Sequence, residues 1–274
     1  MIFADYHVHT NFSTDADRSA AMETMVKSAI KRGLREIVIT DHQDYVDDGL
    51  IVRFSADLDA CMTELLRLKE KYADKINLLL GVEVGITPSQ ARVIEERFAK
   101  YPIDFIIGSS HDPPVGTPYY FAGYFEGKTK REAFDEYFSQ TIANIRSTSG
   151  YDVYGHLDYI FRYSSVFNAY PENGLNYLDY ADAIDEILKE LISRGKGLEL
   201  NTSGFKYGLN TVHPQPDILK RYRELGGEII VIGSDAHAPE EIANGFDKAE
   251  AILKECGFTA YTLFRERKPI WEKF

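Results

Sequence analysis

The sequence predicts an α/β fold in which seven parallel strands, each followed by a helix, form a barrel. Seven apolar segments of strand length alternate with seven amphipathic segments of helix length, and parallel strands require such crossover connections. The strand segments are apolar at nearly every position, which is typical of strands covered on both faces. No glycine-rich nucleotide-binding turn follows any strand, which favours a closed barrel over an open, doubly wound sheet. Because seven strands close less regularly than eight, we expect a distorted (β/α)7, TIM-like barrel or one with an open seam.

The seven units follow one another without a repeat, a low-complexity tract or a linker, which predicts one domain over residues 1–274. Pro88 marks a helix start and Gly195 a helix end. Two segments rich in aromatic residues, 112–130 and 157–178, are predicted as loops that follow strands. The predicted strands are 2–9, 36–42, 76–85, 103–111, 152–156, 197–201 and 228–235. The predicted helices are roughly 20–32, 56–73, 88–100, 130–148, 179–194, 215–225 and 239–256.

Composition and chain ends indicate where such a protein works. Of the 274 residues, 44% are hydrophobic, and the two cysteines, Cys61 and Cys256, are too few for a disulfide framework. The N-terminal MIFADYHVH is too short and too polar for the apolar region of a signal peptide. No run reaches the roughly 18–20 apolar residues of a membrane-spanning helix. We therefore expect a cytoplasmic protein with reduced thiols.

The charge of the chain limits its partners. It carries 43 acidic and 31 basic residues, a formal net charge of −12, with no basic stripe. Such a surface repels nucleic acid and anionic membranes, so we expect neither as a partner. Any phosphorylated small-molecule substrate would need a strong local positive charge. No pattern in the sequence indicates an oligomeric state.

Histidines are concentrated at the ends of the predicted strands. Five of the seven close a strand, His237 lies just beyond another, and only His213 lies elsewhere. In a (β/α) barrel the carboxyl ends of all strands converge on one face, where active sites are built. Carboxylates follow the same rule, since Asp41, Glu83 and Asp235 lie near strand ends and Asp15 follows the first strand.

The local spacing indicates metal binding. His7 and His9 are two residues apart on a strand, so both side chains point to one face, and Asp235 and His237 repeat that spacing. Imidazole and carboxylate ligands without thiolates suit zinc, manganese or iron. A single histidine at a strand end is more often a buried or surface residue than a ligand. Nine ligand-type residues at the same end of six strands favour a metal centre: His7, His9, Asp15, His42, Glu83, His111, His156, Asp235 and His237.

Four residues keep two interpretations at this stage. Asp15 is either a ligand or a cap of the helix near Ser19, and Asp41 either binds metal or orients His42. His213, which precedes Pro214, is either a helix entrance or a substrate contact. Arg162 is either a surface arginine or a cation for phosphate oxygens, which its planar fork suits.

Six short motifs, taken together, resemble the polymerase-and-histidinol-phosphatase (PHP) superfamily. They are His-Val-His at 7–9, Thr-Asp-His at 40–42, Glu83 after Gly-Val, Ser-His at 110–111, Gly-His-Leu-Asp at 155–158 and Ser-Asp-Ala-His at 234–237. The length, the loop after Arg162 and the aromatic C-terminal tail resemble the histidinol-phosphate phosphatase branch. The resemblance implies a distorted seven-stranded barrel with three divalent metal ions (Zn, Mn or Fe). His7, His9, Glu83 and Asp235 would hold the first ion. Glu83 would bridge to a second ion with His111 and His156, and Asp15, His42 and His237 would hold the third.

The resemblance further implies hydrolysis of L-histidinol phosphate, in histidine biosynthesis, by a metal-bridged hydroxide. Glu83 and Asp235 would be catalytic through the metals. The sequence does not assign the group that protonates the leaving alkoxide, and His213 and an aspartate near the metals are candidates. Arg162, His213 and Tyr119 are the predicted substrate contacts, with Tyr119 part of an aromatic segment that could stack on an imidazole ring.

Three other functions remain open from the sequence. A related phosphoesterase would act on phosphotyrosine, a nucleotide or another small phosphomonoester. A hydrolase of C–N or C–O bonds would use a similar H-x-H pair, although such barrels usually add a metal-bridging lysine, and no strand end here offers one. A non-catalytic metal-binding module is the third, and it would not need every ligand type. The acidic charge argues against a nuclease.

Overall fold

We describe a computed structural model of the chain, in which residues 2–45, 52–170 and 174–274 are placed. The strands in chain order are β1 (Ala4–Val8), β2 (Glu36–Ile39), β3 (Asp44–Tyr45), β4 (Val52–Arg53), β5 (Asn77–Gly85), β6 (Phe105–Ser109), β7 (Val153–Tyr154), β8 (Gly197–Asn201), β9 (Ile230–Gly233), β10 (Ala260–Arg265) and β11 (Lys268–Lys273). The α-helices are α1 (Met22–Lys31), α2 (Leu58–Lys71), α3 (Ala91–Phe98), α4 (Lys130–Ser147), α5 (Tyr159–Val166), α6 (Ala181–Ser193), α7 (Pro216–Glu224) and α8 (Phe246–Glu255). No helix in these ranges is both long enough and apolar enough to cross a membrane.

Seven of these strands form the predicted barrel. They pair in parallel in the order β1-β2-β5-β6-β7-β8-β9. The first and last strands meet at their carboxyl ends, where the N–H of His9 donates to the carbonyl of Ala236 at 2.9 Å and the N–H of Ala236 donates to that of His7 at 3.3 Å. The register of β1 on β2 shifts between Asp5 and Val8, and β7 is only two residues long. The expected distorted barrel is confirmed.

Local sequence explains where several helices begin. The Asp57 carboxylate accepts hydrogen bonds from the backbone N–H groups of Asp59 and Ala60 at the start of α2. Thr129 and Glu132 form a reciprocal capping box at the start of α4, and Pro216 occupies the first turn of α7. These caps satisfy N–H groups that have no partner within the helix.

Helix α5 corrects the prediction that 157–178 is a loop; residues 171–173 of that segment lie outside the described ranges. The helix buries four consecutive residues, Tyr159, Ile160, Phe161 and Arg162. At eight residues the helix is shorter than the window of about 11–18 residues over which a helical period is identified, so no clear pattern could be recognised in the sequence. The segment 112–129 is irregular apart from a short 3₁₀ turn at Ala122–Tyr124.

The C-terminal residues form an antiparallel hairpin, β10–β11, that closes the amino end of the barrel. Its Phe264 ring is buried and lies 5.0 Å from the ring of Phe105 on β6. The N–H of Phe264 donates to the hydroxyl of Tyr6 at 2.7 Å, and that hydroxyl donates to Glu36 at 2.6 Å. With this end filled by side chains, the opposite, carboxyl end is left for a functional site.

Candidate metal centre

Nine imidazole and carboxylate side chains meet at the carboxyl end of the barrel. Only His7 and Glu83 lie within strands, and the others lie in loops that follow strands. The predicted strands were too long here, because the ladders end one to three residues before His9, His42, His111 and His156. Seven of the nine are buried, and Asp15 and His237 are the more exposed members. The structure brings together all nine residues that the sequence singled out: His7, His9, Asp15, His42, Glu83, His111, His156, Asp235 and His237.

The first group lies where β1, β5 and β9 end. The Nε2 atoms of His7 and His9 are 3.0 Å apart. Oε2 of Glu83 lies 3.1 Å and 3.4 Å from these two nitrogens, and Oδ1 of Asp235 lies 3.7 Å and 3.6 Å from them. Ligands bound to a tetrahedral zinc at 2.0–2.2 Å are about 3.3 Å from one another. The four side chains therefore fit one divalent metal ion.

Glu83 connects this group to a second one. Its other oxygen, Oε1, lies 3.1 Å from Nε2 of His111 and 2.8 Å from Nε2 of His156. The two carboxylate oxygens thus face different imidazoles, which is the arrangement expected of a carboxylate that bridges two metal ions. Oε2 also lies 3.2 Å from Nδ1 of His42.

Asp15 organises the third group at the mouth of the barrel. Its Oδ2 lies 3.3 Å from Nε2 of His42 and 3.3 Å from Nε2 of His237. The ring of His9 stacks on both, with ring centroids 4.3 Å from His42 and 4.1 Å from His237. Asp15 does not cap the helix near Ser19, because α1 begins at Met22, whose N–H donates to the side chain of Asn11 at 3.3 Å, and Ser19 bonds Asp17. Asp15 is left in a position to bind metal.

Asp41 supports the loop after β1 and lies outside these groups. Its buried carboxylate accepts from the N–H of Thr10 at 2.6 Å, the hydroxyl of Thr10 at 2.7 Å and the hydroxyl of Ser13 at 2.8 Å. The hydroxyl oxygen of Ser13 in turn accepts from the N–H of His42 at 3.0 Å. Asp41 therefore places His42 through Ser13, in line with its orienting interpretation.

Charge is unevenly distributed within the metal-free cluster. Burial opposes charge on His7, but the carboxylates of Glu199, Glu83 and Asp235 outweigh burial and hold the pKa of His7 well above its usual value. Burial together with nearby histidines, above all His237, holds the pKa of His9 well below its usual value.

The carboxylates of the cluster are held in their ionised form. Burial alone would raise the pKa of Glu83, but the charges of His7, His111 and His42 hold it well below its usual value. The pKa of Asp235 is likewise held well below its usual value, against burial, by His7 and Arg162. Buried carboxylates that remain ionised beside imidazole nitrogens suit a site that exchanges protons for divalent cations.

Two carboxylates that the sequence analysis did not select hold the far side of the histidine rings. Oδ2 of Asp44 lies 2.7 Å from Nδ1 of His111, and Oε1 of Glu199 lies 2.6 Å from Nδ1 of His7. Such partners fix the tautomer and the orientation of a histidine that binds metal through Nε2. The sequence carried a signal for Glu199, since an acidic residue in the otherwise buried segment GLELN requires a partner.

A cavity of about 310 Å³ opens onto this cluster. Four aromatic residues, which we call the collar, form part of its wall: Phe54, Tyr120, Tyr163 and Tyr207. Ring centroids of neighbouring members lie 5.8 to 6.4 Å apart, between Phe54 and Tyr120, Tyr120 and Tyr163, and Tyr163 and Tyr207. An aromatic wall of this kind can bind a flat ring or an organic cation.

Two cations also line the cavity, Arg162 and Lys206. Nη2 of the buried Arg162 donates to Ser203 at 2.6 Å and to Asp235 at 3.0 Å. Its Nε has no hydrogen-bond partner among the described residues. Lys206 is more exposed and donates to Glu241 at 2.8 Å. The arginine is therefore fixed beside the cluster by Ser203 and Asp235.

Two predicted substrate contacts lie outside the cavity wall. Tyr119 is fully buried and packs on Tyr124 and Tyr137, and the next residue, Tyr120, faces the cavity instead. His213 is also fully buried, with its Nδ1 2.6 Å from Asp158. For both residues the structure is at variance with a direct contact to substrate, since neither side chain reaches the cavity.

A parallel barrel with imidazole and carboxylate ligands in the loops after its strands belongs to the class of metal-binding (β/α) barrels. Residues 5–203 match the PHP domain family, and the chain belongs to that family. The resemblance inferred from the short motifs is thereby confirmed.

Relatives of the chain share almost its full length. The histidinol-phosphatase of Lactococcus lactis is 31% identical over 264 residues, which cover 96% of this chain and 95% of that protein. The probable histidinol-phosphatase of Clostridium acetobutylicum is 33% identical over 258 residues, which cover 93% and 94%. The crystal structure of the Lactococcus lactis histidinol phosphate phosphatase, complexed with zinc, L-histidinol and phosphate, matches with a TM-score of 0.86 and 30% identity and covers 97% and 98% of the two chains.

Proposed function

We propose that this protein is a metal-dependent phosphatase that hydrolyses L-histidinol phosphate to L-histidinol and inorganic phosphate, a step of histidine biosynthesis. The observation that carries the proposal is the meeting, around one cavity, of the nine-residue cluster, a buried arginine and the aromatic collar. A relative that covers nearly the whole chain has been crystallised with zinc, L-histidinol and phosphate. The same three kinds of ligand suit the three parts of this cavity.

We assign three divalent ions, zinc, manganese or iron, to the cluster. Separations of 3.0–3.7 Å between neighbouring donor atoms support the assignment of the first ion. Following the family resemblance, the ligands would be His7, His9, Glu83 and Asp235 for the first ion, Glu83, His111 and His156 for the second, and Asp15, His42 and His237 for the third. When bound, such ions supply a nucleophile from water at neutral pH and positive charge for the phosphate.

The protein groups around the cluster would position the substrate. Arg162 would donate to the phosphate oxygens, because its guanidinium is held by Asp235 and Ser203 at the edge of the cavity. Glu83 and Asp235 would act as catalytic residues by holding the metals at fixed separation while lining the same cavity. We assign no proton-transfer step to His213, because Asp158 holds it away from the cavity.

Bound metal ions would supply the positive charge that this acidic protein needs in order to bind an anionic substrate. Three divalent ions would bring about six positive charges against the three carboxylates of the ligand set. Arg162 and Lys206 line the same cavity, although each already pairs with a carboxylate. The cavity would therefore attract a phosphate dianion locally despite the net charge of −12.

The collar favours an aromatic, cationic leaving group. L-histidinol carries an ammonium group and an imidazole ring, and both bind well to tyrosine and phenylalanine faces. Phosphotyrosine, nucleotides and other small phosphomonoesters are the alternative substrates on the same metal site. A panel of these esters separates the alternatives by kcat/KM.

The test is phosphate release after chelation and parallel reconstitution with zinc, manganese and iron. We expect rapid turnover of L-histidinol phosphate that disappears with chelator and falls steeply in Asp15→Asn. The matched control is Asp17→Asn, which removes a carboxylate two residues away that bonds only Ser19 among the described residues. If the protein binds metal but hydrolyses another ester faster, that ester is the substrate instead of L-histidinol phosphate. If no ester releases phosphate, the proposal is wrong.

A further inference from the structure

Among the seven described barrel strands, β8 is the one that contributes none of the nine cluster residues, either from the strand itself or from the loop directly after it. Glu199 and Asn201, two residues apart, share one face of this strand, and both reach the cluster: Glu199 contacts His7 at 2.6 Å and Asn201 donates to Asp235 at 3.3 Å. The Glu199 carboxylate has no solvent-exposed surface. A carboxylate buried this completely requires strong polar partners.

The partners of Glu199 belong to two different metal-ligand segments. Oε1 lies 2.6 Å from Nδ1 of His7 on β1. Oε2 accepts from the backbone N–H of His156 at 2.8 Å and from the Nδ2 group of Asn201 at 3.2 Å. One carboxylate therefore ties together the two histidines that the first and second metal groups draw from opposite sides of β8.

The neighbouring strands leave room for this carboxylate. A Cβ added at Gly233, on β9, would overlap both Oε1 of Glu199 and Cβ of His7. A Cβ at Gly155, in the segment after β7, would lie 3.3 Å from Oε2 of Glu199 and only 2.6 Å from Oγ of Ser109. Glycine on both sides means that the backbone is shaped to admit the carboxylate between the strands.

We propose that Glu199 is a positioning residue for the metal centre, which acts through His7. By accepting the Nδ1 proton of His7 it leaves Nε2 as the nitrogen for the metal and directs it at Glu83 and Asp235. Its second oxygen holds the backbone of His156, so one residue on β8 would position a ligand of the first ion and a ligand of the second. This role rests on the proposed metal centre and adds to it a residue that binds neither metal nor substrate.

The matched pair for the test is Glu199→Gln and Glu36→Gln. Both remove the charge of a buried glutamate on a barrel strand, but Glu36 lies at the opposite end, bonded to Tyr6, Asn77 and Arg265. Zinc affinity is measured by competition with a chromophoric chelator, and the thermal stability of the metal-free forms shows what each variant loses in folding. We expect zinc affinity to fall about 10- to 100-fold in Glu199→Gln and to stay unchanged in Glu36→Gln.

A measurement on the wild-type protein keeps the proposal testable if Glu199→Gln does not fold. Histidine-selective ¹⁵N NMR of the zinc-loaded protein should show His7 protonated at Nδ1 and bound through Nε2. A proton on Nε2 of His7, or wild-type zinc affinity in a folded Glu199→Gln, would overturn the role of Glu199. Absence of zinc binding in the wild type would instead overturn the proposed function itself.

Discussion

Nη2 of Arg162 lies 3.0 Å from Oδ2 of Asp235, a carboxylate whose other oxygen faces the imidazoles of His7 and His9. The rings of Tyr159 and Tyr207 lie 5.2 Å and 4.9 Å from the guanidinium carbon. One aspartate thus connects the candidate metal site to the candidate phosphate site. The arginine is held in place without substrate, and such preorganisation of a donor favours the stabilisation of developing negative charge.

Replacement of Arg162 tests this connection. We expect Arg162→Ala to lower kcat/KM about 100- to 1000-fold, the usual cost of losing one donor to a developing oxyanion. Arg162→Lys should recover only part of this, because an ammonium group lacks the planar fork. Metal content is measured in each variant, since Asp235 loses a buried partner. Arg92→Ala, at an exposed residue paired with Glu96, is the control, and near-normal kcat/KM in metal-loaded Arg162→Ala would refute the role.

The collar makes a prediction about specificity. Tyr163→Leu should raise KM for L-histidinol phosphate about 2- to 30-fold, which corresponds to one lost cation–π contact. Turnover of glycerol phosphate, which has neither ring nor cation, should change little. Phe121→Leu is the matched control, because Phe121 is exposed beside Tyr120 but does not line the cavity. Equal losses for both esters would show that Tyr163 supports the cavity without selecting the substrate.

Glu83 is predicted to be the residue on which most of the metal depends. Its oxygens face five imidazoles, two through Oε1 and three through Oε2. Glu83→Gln should therefore reduce the metal content from about three ions to about one per chain, since an amide is a poor bridging ligand. Elemental analysis after gel filtration measures this, with Glu36→Gln as the control. Full metal content in Glu83→Gln would exclude a bridging role.

The sequence was sufficient to predict the barrel and to group the nine cluster residues, but it did not predict which loop side chains line the cavity. The carboxyl ends of parallel barrel strands lie on one face whatever the conformation of the loops, so His7, Glu83 and Asp235 could be grouped from the sequence alone. Side-chain direction inside an irregular loop has no period, which is why Tyr119 was selected where Tyr120 faces the cavity.

Three other features were not predicted: the buried position of Glu199, helix α5 and the C-terminal hairpin. In β8 the alternation of Leu198, Glu199 and Leu200 places the carboxylate on the opposite face from both leucines, and this could have been read from the sequence. Helix α5 is only eight residues long, which is too short for a helical period to be identified. The C-terminal segment 260–273 contains several aromatic residues, and its alternating pattern on both sides of Glu266–Arg267 predicts a hairpin. The structure has that hairpin, with its turn at these two residues.

Metal affinity should depend on pH through the histidines. Burial opposes charge on His42, but Glu83, Asp15 and Asp44 raise its pKa to about 9. His42 is therefore protonated in the metal-free protein at neutral pH, and a metal ion has to displace that proton. The carboxylates Glu83 and Asp15, whose pKa values are lowered, release none.

The sign of the effect follows from these directions. Zinc affinity should rise as the pH increases from about 6.5 to about 9, by about tenfold per pH unit for each proton displaced. The metal-free protein should change in the opposite sense. Its stabilisation by charged His42 is complete below the unfolded-state pKa and is lost as the pH rises through about 9. Calorimetry in buffers of different ionisation enthalpy counts the protons released, and an affinity independent of pH would contradict the prediction.

The hairpin at the amino end of the barrel should matter for stability and leave the chemistry intact. Phe264→Ala removes a buried ring packed on Phe105 and should lower the free energy of unfolding by about 3–5 kcal/mol. Trp271→Ala, in the same hairpin but 51% exposed, should change it by about 0.5 kcal/mol or less. Urea unfolding of the metal-free proteins measures both values. Because β10 packs at the end of the barrel opposite the cluster, folded Phe264→Ala should keep the zinc affinity and the kcat/KM of the wild type. A loss of either in the folded variant would mean that the two ends of the barrel are coupled through its strands.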